Sequence, residues 1–254
     1  MRSAGVAWLL DLYGFKVYTL VGGYKVFRKW VLQQFEAEYA FKVIGGYTGS
    51  GKTEVLHALC GKGAVTIDFE ALAHHRGSAF GSLGQPVQPS QEMFENKLAI
   101  ALFKATIAAS QQEEHNRFIW VEDESQRIGD VNLPGTLYRL KQSSPICFLD
   151  IPFDERAKHI TKGYGHFEKE KLINAIIRIK KRLGPLETKK AVNYLLEDDI
   201  GSCFAVLLKY YDKWYSKSLE QRPDLVSQIT KVACNTTDSA SNAAQISNLA
   251  AMMA

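Results

Sequence analysis

Short apolar runs alternate with longer amphipathic segments along most of the chain. The runs fall at residues 41–44, 64–68, 118–121, 146–150 and 228–234. Between and after them, residues 53–59, 91–110, 169–183 and 238–252 carry apolar side chains at helical spacing, and Asp238 or Ser239 can cap the last segment. Because short apolar strands that alternate with helices build parallel sheets, we predict an α/β fold with a doubly wound, mostly parallel sheet.

The first thirty residues do not fit this alternation. Residues 1–10 predict a helix that stops near positions 14–15, residues 17–20 predict a strand, and an aromatic and basic stretch follows at 24–30. One helix and one strand are too small to form a core of their own. We therefore interpret residues 1–36 as a tail and residues 37–254 as the main folded domain.

Residues 45–55 read GGYTGSGKTEV and lie between a predicted strand and a predicted helix. In the pattern G-x-x-x-x-G-K-[ST], glycines let backbone amides converge on an anion, the lysine meets a terminal phosphate, and the hydroxyl can ligate Mg²⁺. The positive end of the helix dipole faces the same anion. The sequence therefore predicts a phosphate-binding loop, a P-loop, formed by Gly46, Gly49, Ser50, Gly51, Lys52 and Thr53.

Carboxylates follow three of the predicted strands, at Asp68, at positions 122–124 and at Asp150. A carboxylate at the end of a buried strand is what a Mg²⁺-phosphate site requires, and Glu122 or Asp123 is the best placed. Any single carboxylate of this kind is as often a helix cap or the partner of an arginine. We predict that Asp68 contributes to the ligand site and that Thr53 and Asp123 hold a metal ion.

Composition is that of a globular protein: 254 residues, 46% hydrophobic and 23% charged, with a net charge of +4. The charge is uneven, because residues 156–190 hold eleven Lys or Arg against three Glu. On residues 169–183 these charges face away from an apolar stripe, which fits an ordinary solvated face and a phosphate-backbone contact surface equally well.

Four cysteines, at positions 60, 147, 203 and 234, are widely spaced and form no C-x-x-C pair. This spacing suggests neither a zinc site nor a disulfide framework. No apolar run approaches the roughly 20 residues that cross a bilayer, and Asp11 interrupts the apolar stretch near the N-terminus. We expect a cytoplasmic protein.

Several longer motifs make the P-loop more specific. They are GGYTGSGKTE, DFEALAHHRGSAFG (68–81), QPSQEMFENKLA (88–99), WVEDESQRIGDVNLP (120–134), KRLGP (181–185) and YYDKWY (210–215). Together they resemble the P-loop domain of bacterial tRNA 2-selenouridine synthases, and residues 1–30 resemble the C-terminal end of a rhodanese domain. The resemblance implies a P-loop NTPase-like fold for residues 37–254, preceded by a short rhodanese remnant at 1–36.

The family exchanges the sulfur of a wobble-position 2-thiouridine in tRNA for selenium from selenophosphate, and also places a geranyl group from geranyl diphosphate on that sulfur. The resemblance thus implies tRNA and the two phosphorylated donors as ligands, and the P-loop pattern adds Mg²⁺. We expect the P-loop to hold the donor and the basic segment to bind tRNA. The expected catalytic residues are Arg76, Glu122, Glu124 and Arg127, and the expected tRNA-binding residues are Lys158, Lys162, Arg178, Lys181 and Arg182.

The chain departs from the family pattern near its start. The family's nucleophilic cysteine precedes the Arg-Ser pair that appears here as Arg2-Ser3, and none of the four cysteines occupies that position. Unless the true start of the gene lies upstream of Met1, we therefore expect a truncated or split form. In this form prenyl transfer is retained, and selenium insertion is lost unless a separate rhodanese chain completes the site.

Two other functions fit parts of the sequence. The P-loop, Asp68 and the arginine-containing segment after Asp150 suit a small-molecule kinase, and the basic segment also suits a non-catalytic tRNA-binding module. For Tyr211 and Tyr215, a place in the core competes with stacking on an extruded base.

Overall fold

The centre of the computed structural model, which describes residues 2–222 and 225–252, is a parallel sheet of five strands. The strands of the chain are β1 (Phe41–Gly46), β2 (Thr66–Ile67), β3 (Ile119–Glu122), β4 (Arg127–Ile128), β5 (Val131–Asn132), β6 (Ile146–Asp150) and β7 (Ile229–Ala233). The sheet has the order β2-β3-β1-β6-β7, while β4 and β5 form a separate antiparallel hairpin. The predicted doubly wound α/β fold is confirmed.

Helices surround the sheet. They are α1 (Arg2–Leu12), α2 (Gly23–Gln34), α3 (Lys52–Gly61), α4 (Phe69–Ala73), α5 (Gln91–Ser110), α6 (Gly135–Gln142), α7 (Phe153–Tyr164), α8 (Lys169–Leu183), α9 (Pro185–Leu196), α10 (Ile200–Glu220), α11 (Leu225–Gln228) and α12 (Ser239–Met252). Within the described ranges, no helix combines the length and the apolar character that a membrane crossing needs.

The sheet is buried on both faces by different helices. On one face, Phe41 and Val43 of β1 pack with apolar side chains of α2, α5 and α6. On the other face, Ile44 of β1 packs with α3 and α12, through side chains such as Leu56 and Ile246. Because alternate residues of a strand point to opposite faces, β1 contributes to both cores and is nearly all buried.

The strand order creates a crevice at one end of the sheet. Chain connections run from β1 outward to β2 and then from β3 across β1 to β6, so their direction reverses between β1 and β3. These two strands pair in register from Phe41 with Ile119 to Ile44 with Glu122. Ligands of open α/β sheets bind beyond the carboxyl ends of the strands at such a reversal, and the loop after β1 and the carboxylates after β3 lie there.

A third apolar cluster joins α7, α8, α9 and α10 into a helical unit beside this crevice. Leu172, Ile176 and Leu183 of α8 are buried in it, so the apolar stripe of this helix faces inward as predicted. Phe80, from the loop after α4, packs against Tyr164 and Phe204 of the same cluster. The unit is thereby tied to the loop that borders the crevice.

The N-terminal segment differs from its prediction in one respect. Residues 15–20 form neither helix nor strand, so the predicted strand at 17–20 is wrong. A strand is stable only when a neighbour satisfies its backbone hydrogen bonds, and none of the strand pairs in the described residues includes this segment. Its side chains are exposed, as for Tyr18 and Leu20.

Helix α2, in contrast, packs on the main domain. Its Val31 is fully buried, and the Trp30 ring meets Phe103 of α5 edge to face, with ring centroids 5.6 Å apart. Arg28 of α2 pairs with Glu95 of α5. The structured core therefore includes residues before position 37, and the assignment of residues 1–36 to a rhodanese remnant stays a prediction.

Candidate phosphate-binding site

The loop between β1 and α3 has the backbone that its glycines predict. Gly49 and Gly51 have φ angles of 82° and 71°, in the left-handed region that side chains disfavour. A Cβ on Gly49 would lie 2.7 Å from Cγ1 of Ile160 and 2.9 Å from the carbonyl oxygen of Arg156, so space also demands glycine there. Ser50 is fully buried. The loop is held tightly against α7.

Lys52 bends back over this loop. Its Nζ donates a hydrogen bond of 2.9 Å to the carbonyl oxygen of Gly46 and lies 5.8 Å from the centre of the Tyr215 ring. The first turn of α3 begins at the same residue, so the ammonium group and the positive end of the helix dipole share one location. This location suits a phosphate group.

A cavity of about 620 Å³ opens beside the loop, within the size range of small-molecule sites. Its polar lining includes Lys52, Thr53, Asp68, Glu70, Arg76, Glu122, Asp123 and Glu124, and its apolar and aromatic lining includes Ile160, Tyr164, Tyr211, Trp214 and Tyr215. The P-loop, the helix α4, the end of β3 and the helical unit thus enclose one space that is polar in part and aromatic in part.

Three glutamates meet at the polar part of the cavity. Glu70, Glu122 and Glu124 each offer a carboxylate oxygen, and these oxygens lie within 4.8 Å of one another. The Thr53 hydroxyl lies 3.1 Å from Oε2 of Glu70 and 3.0 Å from Oε2 of Glu122. The hydroxyl of the P-loop and the acidic cluster therefore form one continuous group of oxygen atoms.

Burial and mutual repulsion disfavour the charged forms of these glutamates. Burial, followed by the charges of Glu124 and Glu122, raises the pKa of Glu70 to about 10. Burial is also the main cause that raises the pKa of Glu122 well above its usual value, and it raises the pKa of Glu124. Without a compensating cation, the cluster therefore retains protons at neutral pH.

Asp123, between two of these glutamates, has the opposite environment. Because alternate side chains of an extended segment point to opposite sides, its carboxylate turns toward Lys141, at 2.9 Å, and Arg222. Tyr215 donates to its Oδ2 at 2.7 Å. Burial opposes ionisation, but the two cations outweigh it and lower the pKa of Asp123 to about 2. Its oxygens are therefore already occupied by internal partners.

The other carboxylates at strand ends also have definite places. Asp68 lines the cavity, accepts a hydrogen bond of 2.7 Å from the amide of Ala71 as the cap of α4, and lies 2.7 Å from Nε2 of His57. Asp150 is exposed at the end of β6 and is not among the described residues that line the cavity. Asp68 thus combines a capping role with a place in the cavity wall.

The two predicted catalytic arginines are separated. Arg76 lines the cavity, with its guanidinium carbon 5.8 Å from the centre of the Tyr164 ring. Arg127 lies on β4, where it donates to the carbonyl oxygen of Gly129 at 2.8 Å and pairs with Asp130. It is not among the described residues that line the cavity. Only Arg76 is in a position to meet a ligand held by the P-loop.

The predicted tRNA-binding residues are all exposed on the helical unit. Lys158 and Lys162 lie on α7, and Arg178, Lys181 and Arg182 lie on α8. Lys158 pairs with Glu155 of its own helix, so part of its charge is compensated locally. Their exposure is compatible with the predicted contact surface, which stays a prediction.

Two features of the site were missed from the sequence. Glu70 lies two residues after Asp68, on a helix turn that carries it back to the end of β3, and its signal was this short spacing from a strand end. Tyr215 is half-buried, packs against the core and also lines the cavity, and its hydroxyl accepts a hydrogen bond of 3.1 Å from the amide of Gly46 and donates to Asp123. Tyr211 similarly accepts from the amide of Ala79 at 3.3 Å.

All four cysteines belong to the described residues, and none of them lines the cavity. Cys60 is exposed on α3, whereas Cys147, Cys203 and Cys234 are buried. Burial raises the pKa of Cys147 to about 11 and that of Cys203 to about 12, so these two thiols are not nucleophilic thiolates at neutral pH.

Sequence comparisons identify relatives of this chain. The sequence model of a family described as "tRNA 2-selenouridine synthase AAA domain" matches residues 39–237. Proteins named tRNA 2-selenouridine synthase are 34% identical over 248 residues in Cupriavidus pinatubonensis and 35% identical over 238 residues in Marinobacter nauticus. The protein of that name in Bordetella bronchiseptica is 42% identical over 161 residues.

These alignments cover more of this chain than of its relatives. They span 85% of the chain and 64% of the Cupriavidus protein, 81% and 62% for the Marinobacter protein, and 62% and 41% for the Bordetella protein. The chain thus corresponds to less than two thirds of each of these three proteins.

Proposed function

The chain belongs to the tRNA 2-selenouridine synthase family, as its motifs predicted, and from this membership we propose that it carries the donor-binding site of a tRNA-modifying transferase. The target is a 2-thiouridine at the wobble position of tRNA. The observation that carries the proposal is the composition of the cavity, which joins a phosphate cradle to an aromatic wall.

This composition suits a prenyl diphosphate such as geranyl diphosphate. The diphosphate would lie against the P-loop amides and Lys52, where backbone dipoles and the ammonium group favour an anion. The apolar chain would lie along Ile160, Tyr164 and Trp214, which line the same cavity. A selenophosphate donor would use the same cradle through its phosphate group.

The transfer follows from these positions. The sulfur of 2-thiouridine attacks C1 of the prenyl group, the C1–O bond breaks, and the diphosphate leaves with the electron pair. The N3–H proton of the nucleobase departs to a proton acceptor, and a double bond forms between N3 and C2 of the nucleobase ring. Lys52 and Arg76 stabilise the charge that grows on the leaving diphosphate, and this is the main contribution that fixed cations make to such a step. Alkylation then makes the sulfur a better leaving group for exchange.

Mg²⁺ is the metal that this fold implies, and the oxygen-rich surroundings of Thr53 fit it. When bound, it would neutralise charge on the departing diphosphate. Asp123, the carboxylate expected from the sequence, has both oxygens engaged by Lys141, Arg222 and Tyr215.

Selenium exchange needs a different nucleophile. We propose that a thiol from a rhodanese-type domain or chain serves this step, because none of the four cysteines of this chain lines the cavity. The exposed cations of α7 and α8 would bind the tRNA backbone, and the thiolated base would enter the cavity as an extruded nucleotide.

The test is the binding of geranyl diphosphate, selenophosphate and ATP, measured side by side by calorimetry on the wild-type protein and on Lys52→Ala. The wild type should bind geranyl diphosphate more tightly than ATP, and Lys52→Ala should lose most of that affinity. Lys62→Ala, an exposed lysine beyond the far end of α3, is the matched control and should bind as the wild type does.

Turnover with thiolated tRNA completes the test. Geranylated tRNA should form with the wild-type protein and not with Lys52→Ala. ATP consumption that depends on a small hydroxyl compound and ignores tRNA would instead identify a kinase. Binding of tRNA with no turnover by any donor would identify a binding module.

A further inference from the structure

Three consecutive residues at the end of β3 have strongly unequal charge environments. Asp123 is paired with two buried cations, Lys141 and Arg222. On the cavity side, Glu122 and Glu124 meet Glu70, and no ion pair to any of these three glutamates is found among the described residues. We propose that Glu70, Glu122 and Glu124 together hold one hard divalent cation, of the Mg²⁺ or Mn²⁺ class, beside the Thr53 hydroxyl.

The nearest cationic side chains are engaged elsewhere. Lys52 Nζ donates to the carbonyl oxygen of Gly46, and Lys141 Nζ donates to Asp123 and to the backbone oxygen of Glu124 at 2.6 Å. The protein therefore places three carboxyl groups together, and in the part of the chain that the structure describes neither Lys52 nor Lys141 forms an ion pair with any of them. Like charges at this separation are compatible with a folded state only when protons or a cation neutralise them.

A second observation distinguishes this cluster from an ordinary acidic patch. Glu122 is only 1% exposed, and its Oε1 has no hydrogen-bond partner among the residues that the structure describes. Buried polar atoms almost always have a partner, so each exception requires an explanation. The other oxygen of Glu122 lies 3.0 Å from Thr53 and the side chain lines the cavity, so the carboxyl group that carries the unpartnered oxygen is part of the same cluster.

The neighbouring backbone also restricts the positions of the side chains in this cluster. Gly77 has a φ of 65°, and a Cβ at this position would lie 2.4 Å from Oε2 of Glu124. The backbone after α4 therefore packs directly on the Glu124 carboxylate, which only glycine permits. Glu70 comes from α4 itself, so one short segment supplies a ligand and fixes a second one.

The donor atoms decide which cation fits. Carboxylate and hydroxyl oxygens suit Mg²⁺ and Mn²⁺, whereas Zn²⁺ and Cu²⁺ prefer the nitrogen and sulfur ligands that this cluster lacks. Four protein oxygens leave coordination positions open, and the neighbouring P-loop would direct phosphate oxygens into them. The inference deepens the proposed function, which placed Mg²⁺ only beside Thr53, because it names the three carboxyl groups that would hold the cation, and it holds for any phosphorylated donor in the cavity.

The experiment uses Mn²⁺ as the probe. Electron paramagnetic resonance of free Mn²⁺ gives the affinity of the wild-type protein, with and without inorganic diphosphate. Glu70→Gln, Glu122→Gln and Glu124→Gln should each weaken Mn²⁺ binding by at least ~10-fold, a loss that even outer-shell partners of metal ligands cause. Asp130→Asn, which removes an exposed carboxylate paired with Arg127 on the hairpin, is the control and should bind as the wild type does.

Two results would overturn the inference: no Mn²⁺ binding by the wild type below roughly 1 mM, the weak limit of protein cation sites, or Glu70→Gln binding equal to that of the wild type. Thermal unfolding distinguishes a loss of cation binding from a loss of protein stability. In EDTA the Gln variants should unfold no earlier than the wild type, and Mn²⁺ should stabilise only the wild type and the control. If Glu70→Gln does not fold, Glu70→Asp, which keeps the charge on a shorter side chain, should show weakened Mn²⁺ binding.

Failure of the proposed function can be distinguished from failure of the proposed cation site. Lys52→Ala should lose the phosphorylated donor and still bind Mn²⁺ in the absence of diphosphate. Retained Mn²⁺ binding with no preference for geranyl diphosphate would support the cation site and reject the prenyl donor.

Discussion

The Tyr215 hydroxyl donates a hydrogen bond of 2.7 Å to Oδ2 of Asp123. The same hydroxyl oxygen accepts a hydrogen bond of 3.1 Å from the amide of Gly46, the first residue of the P-loop. A side chain of α10 thus joins the phosphate loop to the buried ion pairs behind β3. Through this contact, and through the packing of α7 on Gly49, the helical unit can influence the shape of the loop.

Removal of the hydroxyl in Tyr215→Phe should destabilise the protein by about 1.5–3 kcal/mol, the range for hydrogen bonds to charged groups. Urea unfolding monitored by circular dichroism measures this change. The neighbouring Tyr47→Phe is the control, because the hydroxyl of Tyr47 forms a neutral hydrogen bond of 3.2 Å with Ser216; its cost should stay below about 1 kcal/mol. Equal losses in the two variants would contradict the importance of the Asp123 contact.

Asp123 should give the protein a characteristic acid dependence. Its pKa in the folded state is about 2, below the value of about 3.9 expected in an unfolded chain. The ionised carboxylate therefore stabilises the fold at neutral pH, and this contribution of roughly 2.5 kcal/mol is lost as the pH falls from about 4 to about 2.

Asp123→Asn tests this dependence. At pH 7 the variant should lose about 3–5 kcal/mol, because Lys141 and Arg222 would keep their charges without a partner. Between pH 4 and pH 2 its unfolding free energy should fall less steeply than that of the wild type, measured by urea titration at each pH. A parallel pH dependence in the two proteins would show that another carboxylate is responsible.

Gly77 should not tolerate a side chain. In Gly77→Ala, the left-handed backbone costs about 1–2 kcal/mol, and the new Cβ would meet the Glu124 carboxylate at 2.4 Å. We expect a lower melting temperature together with weakened Mn²⁺ binding. Gly61→Ala is the matched control: its Cβ would have no neighbour within 4 Å, and the helix should gain up to about 1 kcal/mol. Unchanged Mn²⁺ affinity in Gly77→Ala would argue against a fixed role for Glu124.

Charge on α8 should determine tRNA affinity. Replacement of Arg178, Lys181 and Arg182 by Gln should weaken tRNA binding and reduce the slope of log K against log salt by about 2, since each phosphate contact contributes about 0.7–0.9. Filter binding across a series of salt concentrations measures both quantities. The same charge change at Lys25, Lys29 and Lys104, which are exposed on α2 and α5, should have much less effect. Equal effects would mean that tRNA responds only to net charge.

Local patterns in the sequence were sufficient to predict most of the fold. The segments 91–110, 146–150 and 169–183 form α5, β6 and α8 with the bounds expected from periodicity. The P-loop was evident because its glycines serve a backbone conformation that depends on a few neighbouring residues. The strand expected at 17–20 was wrong because strand formation depends on a partner elsewhere in the chain, which local sequence does not reveal.

The sequence by itself therefore determined the elements of the sheet, the loop that suits phosphate, and the family to which the chain belongs. Only the tertiary structure decided which carboxylates meet one another and which pair with buried cations, because a one-residue step along an extended segment reverses the direction of a side chain. It turned Glu122 and Glu124 toward Glu70 and turned Asp123 toward Lys141. Pairing of charges depends on distances between atoms that are remote in the chain, and the fold alone sets those distances.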